Sequence, residues 1–190
     1  MSHLASTEPV TVQVTGRRSL ADLIWLANTR HGAAAHWFAR PAPGARDHDH
    51  LQNGSDAVSY LADHKVEVPP GEPTTKQLRA LAAIRDVVRD LAESPQPDDR
   101  EVDGVMSASS FRLGGDRRLR ADGAGWDAFI GDLTLPLVEL LDGRRRLRLC
   151  ENPACRLVFV DDSRNQSRRW CDNAGCGNRF RVRRHRRDHR

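Results

Sequence analysis

All four cysteines of the chain fall between residues 150 and 176, as two pairs of identical spacing: Cys150-Glu-Asn-Pro-Ala-Cys155 and, after fifteen residues, Cys171-Asp-Asn-Ala-Gly-Cys176. Four thiols in two short loops are the ligand set of a closed, tetrahedral structural zinc site, which leaves no position for water or substrate. A segment this small cannot bury enough apolar surface to fold alone, so a bound ion would supply much of its folding energy. Other readings use the same sulfurs. Two disulfides are disfavoured if the chain works in a reducing compartment, and thioredoxin-type dithiols are separated by two residues rather than four. An iron–sulfur cluster is also held by four cysteines and stays open.

Charge separates along the chain in the same way. From Arg144 to Arg190 there are 15 arginines against 5 acidic residues, a net of +10, while the remaining 15 basic and 21 acidic residues give −6. A basic end joined to an acidic body is the electrostatic footprint of nucleic-acid binding. A solvated basic tail is the plainer reading. At 190 residues the chain has room for a domain and a small module, divided here into 1–143 and 144–190. No apolar run is long enough to span a membrane, and Met1 to Val10 lacks the regions of a signal peptide, so a cytoplasmic location without membrane contact is expected.

The body reads as helix-rich. Val10, Val12 and Val14 alternate as in a short strand. Ser19 caps an apolar stretch that predicts a helix over 20–30, and a short helix is expected from Ser55 to His64. Thr74 or Thr75 opens the clearest helix, with Leu78, Leu81, Ile84, Val88 and Leu91 on one stripe. Residues 94–104, rich in Pro and Asp, read as loop, and 105–119 are ambiguous. A last helix runs from about Trp126 to Leu141, with Pro136 inside it as a candidate kink and Gly143 after it as a candidate stop. Within the cysteine module, residues 157–160 and 168–170 read as two strands of a hairpin around a turn at 161–165, and a helix is expected from 177 or 178 onward. The fold class is therefore mainly α (α+β), a helix-rich N-terminal domain with a small, treble-clef-like C-terminal finger.

Cys176-Gly177-Asn178-Arg179, preceded by Ser163-Arg164-Asn165-Gln166-Ser167-Arg168-Arg169-Trp170-Cys171, resembles the CGNR zinc-finger family of bacteria over roughly residues 147–189. It departs from the family at Arg156-Leu157, where members often carry Gly and Trp, and at Asn165-Gln166, where the loop is often Asn-Gly. The upstream part, from Leu26-Ala27-Asn28-Thr29-Arg30 through the Leu78 to Leu91 helix, is similar to the ABATE domain that usually accompanies this finger in stress-induced transcription regulators. The resemblance implies a DNA-binding regulator with one structural Zn²⁺ held by Cys150, Cys155, Cys171 and Cys176.

As a helix, Asn178 to Arg190 places Arg179, Arg183 and Arg187 (or Arg186) on neighbouring turns, facing phosphate. Together with Arg164, Arg168, Arg169, Asn178, Arg184 and Arg186 they form the candidate nucleic-acid contacts, the partner being double-stranded DNA. RNA or a single strand on the same surface is the alternative, favoured if the Trp170 ring is exposed for base stacking. Some arginines, Arg168, Arg169 and Arg179 among them, have a competing role in balancing the −2 charge of a zinc–thiolate centre. Asn165 is a further residue for base edges, with turn formation as its plainer role. His185 and His189 are read as solvated or phosphate-facing. In the body, Asn28, Thr29 and Arg30 are candidate lining for a small-molecule effector pocket, with helix capping as the plainer reading. His31, His36, His48 and His50 invite a second metal site, with His48-Asp49-His50 as a chelating run; a polar loop is the plainer reading. Homodimerisation is a further expectation. No nucleophile elbow, phosphate loop or paired catalytic motif is present, and no enzymatic activity is expected.

Overall fold

The computed structural model describes residues 18–32, 47–94, 98–116, 118–141 and 146–189. The strand expected at Val10 to Val14, His36 and the Gly143 stop lie outside them. Helix α1 (Leu20–Ala27) begins at a full capping box, in which Ser19 and Asp22 satisfy each other's backbone N–H groups. It ends three residues earlier than expected. The Asn28 carboxamide turns away to bond the backbone of Val158, and Arg30 is already committed to a strand. Strand β1 (Arg30–His31) pairs antiparallel with β2 (His48–Asp49), and a 3-10 turn over His50–Gln52 leads to α2 (Gly54–Asp63).

Helix α3 (Thr75–Glu93) matches its sequence signal, with Thr74 and Gln77 as a second capping box. The stretch expected to be loop up to residue 104 instead enters α4 (Asp99–Ser107). Asp98 accepts from the Arg100 N–H, and Asp99 and Glu101 lie in the first turn, so the acidic run that looked like loop is the favourable charge for a helix N-terminus. The ambiguous segment after it resolves into the β3 (Phe111–Leu113) and β4 (Leu119–Ala121) hairpin. Helix α5 (Gly125–Leu141) follows, with Pro136 inside it.

The core lies among α1, α3 and α5, where Leu23, Leu26, Leu81, Ile84, Leu133 and Leu137 are buried with at most 2% exposure. Burying each such side chain is worth roughly 1.5–3 kcal/mol relative to leaving it in water. No helix among the described residues is long and apolar enough to cross a membrane.

The finger opens with β5 (Leu147–Leu149), which pairs antiparallel with β6 (Val158–Val160). This corrects the expected hairpin. β6 pairs with the segment before Cys150 rather than with Arg168–Trp170, and the latter is not a strand. The first cysteine loop therefore sits at the tip of a hairpin. The side chains of Leu147 and Val158 belong to the helical core, so the hairpin roots the finger in the body. A π-helical turn over Asn173–Gly177 leads into α6 (Asn178–Asp188).

Candidate metal centre and nucleic-acid interface

The β5–β6 hairpin sets the first cysteine pair. Cys150 N–H donates to Leu157 O at 2.8 Å, and Asn152 O accepts from the N–H groups of both Cys155 and Arg156, closing the loop so that both sulfurs point inward. Arg156, following Cys155, adopts φ +57°, the left-handed conformation that favours glycine, so an arginine stands here at a position whose backbone suits the glycine that family members often carry. The second pair is set by Asp172, whose carboxylate accepts from the Ala174 and Gly175 N–H groups and starts the turn leading to Cys176. A Cβ on Gly177 would lie 2.9 Å from the Trp170 ring, so the close approach requires glycine at this point of the CGNR motif.

The result is a compact sulfur cluster. Cys150, Cys155 and Cys176 are buried, and the four ligand atoms lie within 4.8 Å of one another. The Cys155–Cys171 and Cys171–Cys176 Sγ separations are both 3.7 Å. A regular tetrahedron with Zn–S bonds of about 2.3 Å has an edge of about 3.8 Å, so these two edges already have the length that a zinc site needs. The sulfurs also compete for protons. Hydrogen bonds from the Cys155 and Cys171 thiols hold Cys150 far below its ordinary value, and bonding to Cys150 pushes Cys155 and Cys171 up. Adjacent thiolates repel, and a divalent cation among them is what lets all four ionise.

The arginines divide into two groups. Arg168 donates to Asp162 at 3.0 Å and to the Cys171 carbonyl at 2.8 Å, with its guanidinium over Phe159. Arg169 pairs with Glu151 and lies over Trp170. Arg148 pairs with Asp161, whose carboxylate is fully buried. Burial would raise Asp161, but hydrogen bonds led by those from Ser163 outweigh it and hold the group below its ordinary value. These arginines brace the loops that carry the cysteines, through carbonyls and carboxylates rather than through the sulfurs. In contrast, Arg164 and Asn178 are exposed, as are Arg183, Arg184, Arg186 and Arg187 on α6, and Arg179 is half-buried. Helix α6 carries six arginines and one aspartate, and every residue from Arg181 to Asp188 is exposed. Asp188 approaches Arg184 and Arg187, each at 3.6 Å.

Trp170 is 8% exposed and packs against Phe180, the ring centroids 4.7 Å apart and the planes tilted by 36°. It packs the small core of the finger and presents no face for a base.

In the body, Asn28 and Thr29 are buried and spoken for: Asn28 bonds both backbone polar groups of Val158, and Thr29 Oγ1 donates to Leu26 O. Arg30 alone of the three faces a polar cleft of about 320 Å³, shared with Asp86, Arg89, Glu93 and Arg156. Arg89 was not foreseen. From α3 it donates to the carbonyls of Ala27, Arg30 and Arg156, tying the end of α1 to the finger. A second, apolar cavity of about 300 Å³ lies between α3, α4 and α5, lined by Ala80, Ile84, Val87, Val105 and Ile130. No local sequence signal marks this cavity, because its α4 wall begins in an acidic run that has the composition of a loop. The expected His48-Asp49-His50 chelate is also rearranged: His48 and His50 meet Asp56, while Asp49 pairs with buried Arg85.

Fold and site together define a helix-rich domain that anchors a four-cysteine zinc finger ending in an arginine helix. In comparison with protein families, residues 146–189 match the CGNR zinc finger, and residues 23–143 match the family described as a putative stress-induced transcription regulator, ABATE. The chain belongs to the ABATE family. The comparison with curated proteins finds no match.

Proposed function

We propose that this protein is a transcription regulator that binds double-stranded DNA through its finger, with one structural Zn²⁺ on Cys150, Cys155, Cys171 and Cys176. The observation that carries the reading is α6: a helix with six arginines, exposed from Arg181 to Asp188, that follows directly on the cysteine centre. Guanidinium groups bind phosphate, and the O6 and N7 of guanine, in bidentate fashion. Arg183, Arg184, Arg186 and Arg187 supply the backbone contacts, with Arg164 on the preceding loop, and Asn178 at the start of the helix is placed for a base edge. Arg168 and Arg169 hold the finger's shape. Burial of Trp170 removes the stacking platform that would favour single strands or RNA. The helical domain is the regulatory part, and the apolar cavity between its helices and the polar cleft that the domain shares with Arg156 of the finger are the places for a small-molecule effector.

Selection of bound sequences from a random duplex library, using zinc-loaded full-length protein, tests this. Recovery of a shared motif supports the reading, and paired half-sites in it would show that a homodimer binds. Tighter binding of single-stranded DNA or RNA than of duplex, measured in parallel, would overturn it.

A further inference from the structure

The fold assembles a second group of metal-binding side chains, outside the cysteine centre. The β1–β2 ladder sets His31 opposite His48, and the turn after β2 brings His50 to Asp56 in the first turn of α2. His48 Nε2 lies 3.0 Å from one Asp56 oxygen and His50 Nδ1 lies 2.9 Å from the other. His31 Nε2 lies 3.2 Å from His50 Nε2, and His31 Nδ1 lies 3.0 Å from the carbonyl oxygen of Gly32.

Proton placement follows from these partners. A carbonyl only accepts, so His31 Nδ1 carries a hydrogen, and a neutral His31 presents a lone pair at Nε2. His50 Nε2 therefore donates to it. A neutral His50 then has a lone pair at Nδ1, aimed at a carboxylate oxygen 2.9 Å away. Two lone pairs at that distance repel. A cation between His50 Nδ1 and the Asp56 carboxylate satisfies both groups, as a proton there also would.

We propose that His48 Nε2, His50 Nδ1 and the Asp56 carboxylate form a second metal site, for a divalent transition ion of the zinc type, with His31 accepting the hydrogen of His50 Nε2. Two imidazoles and a carboxylate are donors that suit zinc and its neighbours rather than calcium or magnesium. A ligating histidine whose other ring nitrogen donates to a fixed acceptor is the usual support for such a site. The scaffold is firm: Asp49, between the two ligating histidines, is held by Arg85 at 2.7 Å, and Arg85 is itself 4% exposed. Bonds of about 2.0–2.1 Å require N···O separations near 3.3 Å, so the ligands need open by only a few tenths of an ångström. His48 is half-exposed, which gives the ion a route in from solvent. The site also adjoins the finger. Gly32, next to His31, donates its N–H to Cys155 O at 2.7 Å, and a Cβ there would lie 2.5 Å from the Ala154 backbone.

The test is calorimetric titration of full-length protein, already carrying one zinc per chain, with further Zn²⁺. The expected result is one additional equivalent, weakened about tenfold or more in His48→Gln. It is weakened likewise in Asp56→Asn, and retained in a His185→Gln, His189→Gln variant that removes the histidine pair at the C-terminal end of α6. His48 is exposed enough that its variant keeps the fold, which the circular dichroism spectrum checks. Absence of a second equivalent in the parent protein, its persistence in His48→Gln, or its loss in the α6 variant would each overturn the proposal.

Discussion

The helical body and the finger are stabilised by different physics. The body buries aliphatic stripes from three helices, and its helix starts are closed by Ser19, Asn53, Thr74 and Asp98. The finger has a core of six buried residues, three of them cysteines, and relies on arginine contacts to fix its loops. The body is held by packing among its helices, whereas the finger, on the function proposed, depends on the ion that its four cysteines would hold. The two meet at the β5–β6 hairpin, where Leu147 and Val158 enter the helical core and Asn28 bonds the Val158 backbone.

The largest effect expected from this contrast follows metal removal. Chelation, or Cys176→Ser, should unfold the finger, because structural zinc contributes on the order of 10 kcal/mol in comparable modules. Trp170 fluorescence should shift to that of an exposed indole, while most of the helical circular dichroism remains. A finger that keeps its Trp170 signal without metal breaks the contrast. Next in size, Leu133→Ala should cost about 2–5 kcal/mol in denaturant unfolding with zinc stoichiometry unchanged. The junction comes third. Asn28→Ala strands a buried N–H and carbonyl at Val158 and should cost about 1–3 kcal/mol. Its sharpest readout is hydrogen exchange at the Val158 amide, which should accelerate while the amides of α5 stay protected. The smallest effect is at Gln166, which sits at φ +46° in the turn closed by its N–H to Ser163 O. Gln166→Gly should stabilise the finger by about 1 kcal/mol, read as a raised melting temperature of the zinc-loaded protein.

What the sequence made legible follows the range of the interactions involved. α3 and α5 were readable because their apolar spacing is local, and the cysteine centre because all four ligands lie in one short segment. α4 was missed because acidic residues that complement a helix N-terminus also look like loop. The finger's hairpin has a different obstacle: the true partner of β6 lies across the cysteine loop, in Leu147–Leu149, whose leucines alternate with Arg146 and Arg148 and so share the composition of the basic end. Asn28 was noticed, but its bond to Val158 spans 130 residues and has no local signature. Composition could not separate the arginines either. Arg168 and Arg183 are the same residue type, and only the fold shows that one grips Cys171 while the other faces solvent.

That separation is the most direct way to test the central claim, that the arginine helix beyond the metal centre is the part that engages nucleic acid. The measurement is the slope of log affinity against log salt for duplex DNA, comparing the zinc-loaded parent with Arg183→Gln, Arg184→Gln, Arg186→Gln and Arg187→Gln combined. These side chains are exposed, so stability should change by less than about 0.5 kcal/mol for each. Each lost phosphate contact should flatten the slope by about one unit, a total of roughly three to four. An unchanged slope in a variant that retains its zinc would contradict the account.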